Sequence, residues 1–233
     1  AGALTTLISF NNTNGANPIG GVIFGQDGFL YGTTGFGGTN LGFGTIFKLS
    51  TNGNLTTLFN FHGTDGEEPS FRLIFGKDGR LYGTASFAGD LANSPSGIGS
   101  GSVFSITTNG TFATLFLFHG TNGSNPAAPL TLAPDGNLYG TTAQGGPGGG
   151  GTIFRVVLAP QFTGIAKLPD RRLVLTAAGP AGTPFRLWTS TNVTTPVQSW
   201  TVLTNSAFGV DGTYSYTDAP PAAIQGFYRL STP

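Results

Sequence analysis

The 233-residue chain has no cysteine and no methionine, only two histidines, and just 9% charged side chains. Without cysteine there is no disulfide framework, no thiolate metal site and no thiol nucleophile. A chain that lacks Met is not expected to be a primary translation product. A segment ahead of Ala1 is therefore expected to have been removed, and for a folded chain the usual segment is a secretory signal peptide. The start Ala1-Gly2-Ala3 suits the small residues around such cleavage sites. Ten Lys and Arg balance ten Asp and Glu. Zero net charge with sparse cations argues against a nucleic-acid footprint or an anionic membrane surface. Apolar runs reach only four to six residues, far short of the roughly 20 that a membrane helix needs. The expectation is an exported, neutral protein with no nucleic-acid partner, no membrane insertion and no cofactor.

What the chain does have is 39 Gly and an internal repeat. Leu30-Tyr31-Gly32-Thr33 returns as Leu81-Tyr82-Gly83-Thr84 and as Leu138-Tyr139-Gly140-Thr141, at spacings of 51 and 57 residues. Leu4-Thr5-Thr6-Leu7 returns at the same spacings as Leu55-Thr56-Thr57-Leu58 and Phe112-Ala113-Thr114-Leu115. Pro18, Pro69 and Pro126 keep step, as do Gly44-Thr45-Ile46-Phe47, Gly101-Ser102-Val103-Phe104 and Gly151-Thr152-Ile153-Phe154. Self-similarity at such a period marks a repeat architecture.

Each unit reads as four short strands. In the first, strand a spans 18–24, b 29–34, c 44–50 and d 54–61, with Asp27-Gly28 between a and b and Asn52-Gly53 between c and d. Asp-Gly and Asn-Gly suit tight hairpins because they tolerate positive φ. Runs of Thr, Ile, Val, Leu and Phe favour strands, and no window carries helical periodicity with caps. The chain is expected to be all-β, and a unit of about 50 residues with strands a, b, c, d is the plan of a propeller blade.

The short words resemble NHL-type propeller repeats. They are more similar still to the GloVer (Gloeo/Verruco) tandem repeats of bacterial secreted proteins, whose pattern runs through Asp-Gly-x-Leu-Tyr-Gly-Thr-Thr, a Gly-rich stretch, Gly-Thr-x-Phe-Lys-Leu and Leu-Thr-Thr-Leu. That resemblance covers residues 4 to 158 and implies secretion and anchoring rather than a known reaction.

The repeat is out of phase with the chain. It opens on a strand d, Leu4 to Phe10, and stops after a third strand c, 151–158. The N-terminal strand is thus expected to supply the fourth strand of the last sheet, in cis or in trans. The assembly residues are then Leu4, Thr5, Thr6, Leu7, Ile8 and Phe10 on one side and Ile153, Phe154 and Val156 on the other. Propellers usually have about four to eight blades, so three units leave three solutions: a compact closure in cis, a six-bladed ring of two chains, or a head-to-tail filament.

Near Pro160 the composition shifts and Gly thins out, which divides the chain into a repeat domain, 1–159, and a C-terminal domain, 160–233. Six strand-like runs follow, at 165–168, 172–177, 185–190, 200–203, 212–217 and 226–230. They suggest a small β-sandwich whose core draws on Trp188, Trp200 and the Phe side chains. Phe185-Arg186-Leu187-Trp188, Ser199-Trp200-Thr201-Val202-Leu203, Tyr216-Thr217-Asp218 and Phe227-Tyr228-Arg229-Leu230 together resemble, over residues 162 to 233, a module common in secreted proteins of the same bacteria, which implies a surface or assembly role.

Residues for chemistry are scarce. Asp27, Asp65, Asp78, Asp135 and Asp211 each precede Gly and read as turn residues. Glu67 and Glu68 form a carboxylate pair, but sequence neighbours rarely face one glycosidic bond. Gly146 to Gly151 spells G-x-G-x-x-G, yet a strand follows where dinucleotide binding needs a helix N-terminus. The loops offer a ligand face instead: Asn14, Asp65 and Asn122 in the repeated d–a words, with His62 and His119 ahead of two of them. Such a face suits a neutral polysaccharide or another protein, but turn chemistry repeated with the blade is the simpler account of it. Two functions follow. The first is a non-catalytic, self-associating structural protein of the cell exterior, and the second is a carbohydrate-binding module using the loop face.

Overall fold

The computed structural model describes residues 2–40, 42–89, 99–170, 172–179, 182–210, 212–218 and 226–232. It is all-β, and among the described residues the sole helical element is one 3-10 turn, Val197–Ser199. Two compact units emerge. One gathers residues 1–75, 80–131 and 139–154, and the other gathers 155–233 with the short segments 76–79 and 132–138.

The repeat builds three antiparallel sheets. The first holds β1 (Val22–Phe24), β2 (Leu30–Thr34), β3 (Thr45–Leu49) and β4 (Leu55–Asn60) in the order β1-β2-β3-β4. The second repeats it with β5 (Ile74–Phe75), β6 (Leu81–Ala85), β7 (Ser102–Ile106) and β8 (Phe112–Leu117). The third has only β9 (Thr131–Leu132), β10 (Leu138–Thr142) and β11 (Thr152–Val156), in the order β11-β10-β9. Strand a is shorter than its sequence suggests, because residues 18–21 run as irregular backbone ahead of Val22.

Local chemistry explains the recurrent words. The Asp-Gly turns place Gly28, Gly79 and Gly136 at φ of +82°, +76° and +79°, where a Cβ would strain the backbone. The glycine of Leu-Tyr-Gly-Thr answers a different need. A Cβ on Gly32 or Gly83 would fall 2.6 or 2.5 Å from the ring tip of Phe47 or Phe104 on the next strand, and Gly140 meets Phe154 in the same way. Each ring tip therefore occupies the space a side chain would need at that glycine. Tyr31, Ile46, Phe61, Leu73, Leu81, Phe104 and Ile106 form the buried core of this unit, ringed by Phe29, Phe43, Phe59, Phe75 and Phe112.

Beyond residue 160 lie two three-stranded sheets. One is β12 (Gln161–Lys167), β13 (Leu173–Ala178) and β16 (Thr213–Thr217), and the other is β15 (Thr201–Ala207), β14 (Pro184–Ser190) and β17 (Phe227–Ser231). They share a core of Leu175, Ala177, Phe185, Leu187 and Phe208. The tryptophans stay outside it. Both are half-buried, with the Trp188 indole N–H donating to Ser231 Oγ at 2.9 Å and that of Trp200 to Thr195 O at 3.0 Å. An indole N–H needs a partner when it leaves water, and these partners lie at the strand margins. Phe185 fills the centre instead, 4.6 Å from Phe208 and 4.7 Å from Tyr214 between ring centroids.

Candidate functional site

The repeated d–a words close turns. Asn11 N–H donates to Asn14 Oδ1 at 2.9 Å, His62 N–H to Asp65 Oδ1 at 2.9 Å and His119 N–H to Asn122 Oδ1 at 3.0 Å. The same side-chain oxygen thus caps the same backbone N–H three times, which is the local bonding Asn and Asp offer in turns. The His62 ring is also engaged: Nδ1 lies 3.2 Å from Asp65 Oδ2 and Nε2 lies 2.7 Å from Asn40 Nδ2. A carboxylate only accepts, so the network places the ring proton on Nδ1 and leaves Nε2 to accept from the amide.

Glu67 and Glu68 lie on the following stretch, where Glu67 exchanges backbone hydrogen bonds with Phe87. Burial, and then the neighbouring Glu68 charge, push the Glu67 carboxyl above its ordinary value. Among the described residues no group of three or more His, Asp or Glu gathers as a metal site. Residues 90–98, between β6 and β7, lie outside the described residues.

A polar cluster sits on the first sheet. Asp27 accepts from Tyr31 Oη at 2.6 Å and from Lys48 Nζ at 3.1 Å, and the ammonium also stands 3.8 Å above the Phe29 ring centroid. Burial acts to raise the Asp27 carboxyl, yet the hydrogen bonds from Tyr31, Lys48 and the Phe29 N–H hold it below its ordinary value. Burial and the Asp27 hydrogen bond push the Tyr31 phenol up. This is a cross-strand clamp on strands β2 and β3.

The strand edges are less satisfied. β3 pairs with β4 and β7 with β8, but β11 has no strand on its outer side among the described residues. Its Ile153 is 83% exposed, whereas the counterparts Ile46 and Val103 are wholly buried. At the other end of the repeat, Val22 is 45% exposed where Leu73 and Leu130 are buried. The N-terminal segment carries no ladder: residues 2–11 belong to no strand or bridge, with Leu4, Thr5, Thr6 and Leu7 exposed and Ile8 and Phe10 half-buried. In this structure the third sheet therefore keeps three strands, and Leu4 to Phe10 do not complete it.

The signal missed in the sequence is Pro160. Residues 151–167 align without a gap to 101–117, so β12 has the sequence position that β8 has in the second repeat. The hairpin turns before β4 and β8 place Gly53 and Gly110 at φ of +91° and +96°. The matching residue is Pro160, whose ring fixes φ near −65° and forbids that turn. β12 accordingly pairs with β13 and leaves the β11 edge open.

Among solved structures, a luciferin-regenerating enzyme is similar at 18% identity and a TM-score of 0.33, over 67% of this chain and 52% of that one. The chain thus spans about half the length of that structure. No curated protein matches. No helix among the described residues is long and apolar enough to cross a membrane. The Gloeobacter/Verrucomicrobia repeat pattern matches residues 1–172, which is most of the sequence, and the chain belongs to that repeat family.

Proposed function

We propose that the chain is a non-catalytic structural protein of the cell exterior, that its three sheets act as propeller-like blades, and that it joins copies of itself through the two ends of the repeat. One observation carries this reading. Ile153 is 83% exposed at a strand position that is wholly buried in both preceding sheets, while Val22 at the opposite end is 45% exposed where its counterparts are buried. Each end of the repeat exposes what a further unit covers elsewhere in the chain. Burying an isoleucine side chain contributes about 1.5–3 kcal/mol, and an open ladder edge adds the drive to pair its N–H and C=O groups. The low charge of the chain leaves few residues to oppose such pairing.

The polysaccharide-binding alternative draws less support. Asn14, Asp65 and Asn122 spend side-chain oxygens on their own turns, and both ring nitrogens of His62 have partners within the chain.

Sedimentation velocity over a range of protein concentration tests the reading. The wild-type chain should form species larger than one chain, and Ile153→Asp should sediment as a monomer that keeps the wild-type far-ultraviolet circular dichroism, with a thermal midpoint that no longer rises with protein concentration. A wild type that stays monomeric at every concentration overturns it.

A further inference from the structure

We infer that residues Leu4–Ser9 of one copy add to the free edge of β11 in a second copy, antiparallel, with Ile8 opposite Ile153 and Leu7 as a one-residue bulge. The inference rests on the self-association proposed above and adds to it the segment, direction and register.

The chain contains the template twice. In the β3–β4 ladder Ile46 faces Phe59 and Phe47 faces Thr57, so Leu58 is the extra residue. In the β7–β8 ladder Val103 faces Phe116 and Phe104 faces Thr114, so Leu115 is the extra residue. Carried over by the repeat spacing, Thr152 faces Ser9, Ile153 faces Ile8, Phe154 faces Thr6, Arg155 faces Thr5 and Val156 faces Leu4. A bulge conserved at the same step twice is a built feature of the ladder, since an extra residue re-aims the strand beyond it.

The donor segment already holds the seat that β4 and β8 hold. Phe10 lies 5.3 Å from Phe47, as Phe61 lies 5.3 Å from Phe104 and Phe118 lies 5.1 Å from Phe154. The backbone agrees: a Cβ on Gly53 would meet Leu7 O at 2.6 Å, and one on Gly110 would meet Leu58 O at 3.2 Å. Leu4–Phe10 therefore sits against the first sheet as β4 sits against the second. What it lacks is a ladder partner, and its apolar and hydroxyl side chains carry no charge to repel one.

The acceptor lacks only a donor. Pro160 blocks the hairpin that would return the chain onto β11, and β12 is committed to β13. A side-chain bond repeats across the same junctions, from Thr33 Oγ1 to Phe71 O at 3.3 Å and from Thr84 Oγ1 to Ala128 O at 3.4 Å. Thr141 is the third such residue and is exposed. Its acceptor in the next copy is the carbonyl of Gly20, which aligns with Phe71 and Ala128. Because the segment rests on its own first sheet while the third sheet keeps three strands, the occupant of β11 is a second copy, joined as the first sheet joins the second. Such a head-to-tail contact repeats until it closes on itself or grows without limit.

The cysteine-free chain permits a clean test by disulfide cross-linking. One chain carries Ile8→Cys and a separately purified, larger-tagged chain carries Ile153→Cys, so a bond between them is intermolecular by construction. Directly opposed residues in an antiparallel ladder lie within disulfide range. The mixed pair should cross-link at least tenfold faster than Leu7→Cys with Ile153→Cys. A single chain carrying both Ile8→Cys and Ile153→Cys should give a ladder of multimers. Equal rates at both registers overturn the register, and a cross-linked monomer from the double variant overturns exchange between copies. No cross-link in a wild type that sediments as a multimer overturns this inference and leaves self-association standing. A monomeric wild type overturns both.

Discussion

Phe10 stands 5.3 Å from Phe47, ring centroid to ring centroid, at an interplanar angle of 57°. It is the first of three equivalent contacts, and in each the receiving ring also covers a glycine backbone on the adjacent strand. The aromatic pair fastens one unit's last strand to the next unit's third strand. Edge-on and tilted aromatic contacts of this kind add about 0.5–1.5 kcal/mol beyond the area they bury.

The middle pair should dominate stability. Phe61 is wholly buried and also meets Phe59 and Phe112 edge-on. Phe61→Ala should cost about 3–5 kcal/mol in urea denaturation, as expected for emptying a buried aromatic site. Phe10 is half-buried, so Phe10→Ala should cost clearly less and chiefly loosen residues 4–10. Hydrogen exchange reads that loosening.

A buried hydroxyl pair offers a second test. Thr34 Oγ1 donates to Phe36 O at 3.0 Å and accepts the Thr45 N–H at 3.1 Å, so the Thr45 hydroxyl, 2.8 Å away, donates to it. Thr142 and Thr152 repeat the arrangement in the third sheet. Thr34→Val keeps the shape but strands a buried N–H and a buried hydroxyl. The expected loss is about 1–3 kcal/mol for a polar group left unpaired, measured by urea denaturation. Simultaneous replacement with Thr45→Val should recover part of it.

Two pH limits follow from the ionisable clusters. The folded Asp27 carboxyl titrates below its unfolded value, so its contribution is present above the ordinary Asp pKa near 3.9 and is lost as pH falls through the folded value. Asp27→Asn should therefore lower the urea midpoint at pH 7, with the gap from wild type narrowing below about pH 4. Tyr31 and Tyr228 move the other way. Burial raises both phenols, followed by hydrogen bonds to Asp27 and Asp218. Their contribution is present below the ordinary phenol value near 10 and is lost as pH rises above it. Tyr31→Phe and Tyr228→Phe should each flatten the alkaline fall of the midpoint.

Much of the fold was legible because the repeat writes the same physical demand three times. Asp-Gly words marked the turns, Leu-Tyr-Gly-Thr marked the second strand, and the six C-terminal runs match β12 to β17 within a few residues. The role of Gly83 was hidden, since only the packed structure shows Phe104 lying over it. The tryptophans misled for a related reason: their size suggests a core, but their N–H groups settle at strand margins. Leu4 to Phe10 read as a strand because they share the words of β4, yet a strand needs a ladder partner and the described chain supplies none. Asn14, Asp65 and Asn122 were visible as a repeated polar word, but composition does not reveal that each closes its own turn.

Complementation between two half-blocked chains tests the central claim most directly. One chain carries Ile153→Asp, which closes the β11 edge, and the other lacks residues 1–9, which removes the donor strand while keeping Phe10 on Phe47. Each should sediment as a monomer alone, and an equimolar mixture should form one-to-one dimers that grow no further. A mixture that stays monomeric, or single variants that still assemble as the wild type does, would contradict head-to-tail joining through this edge.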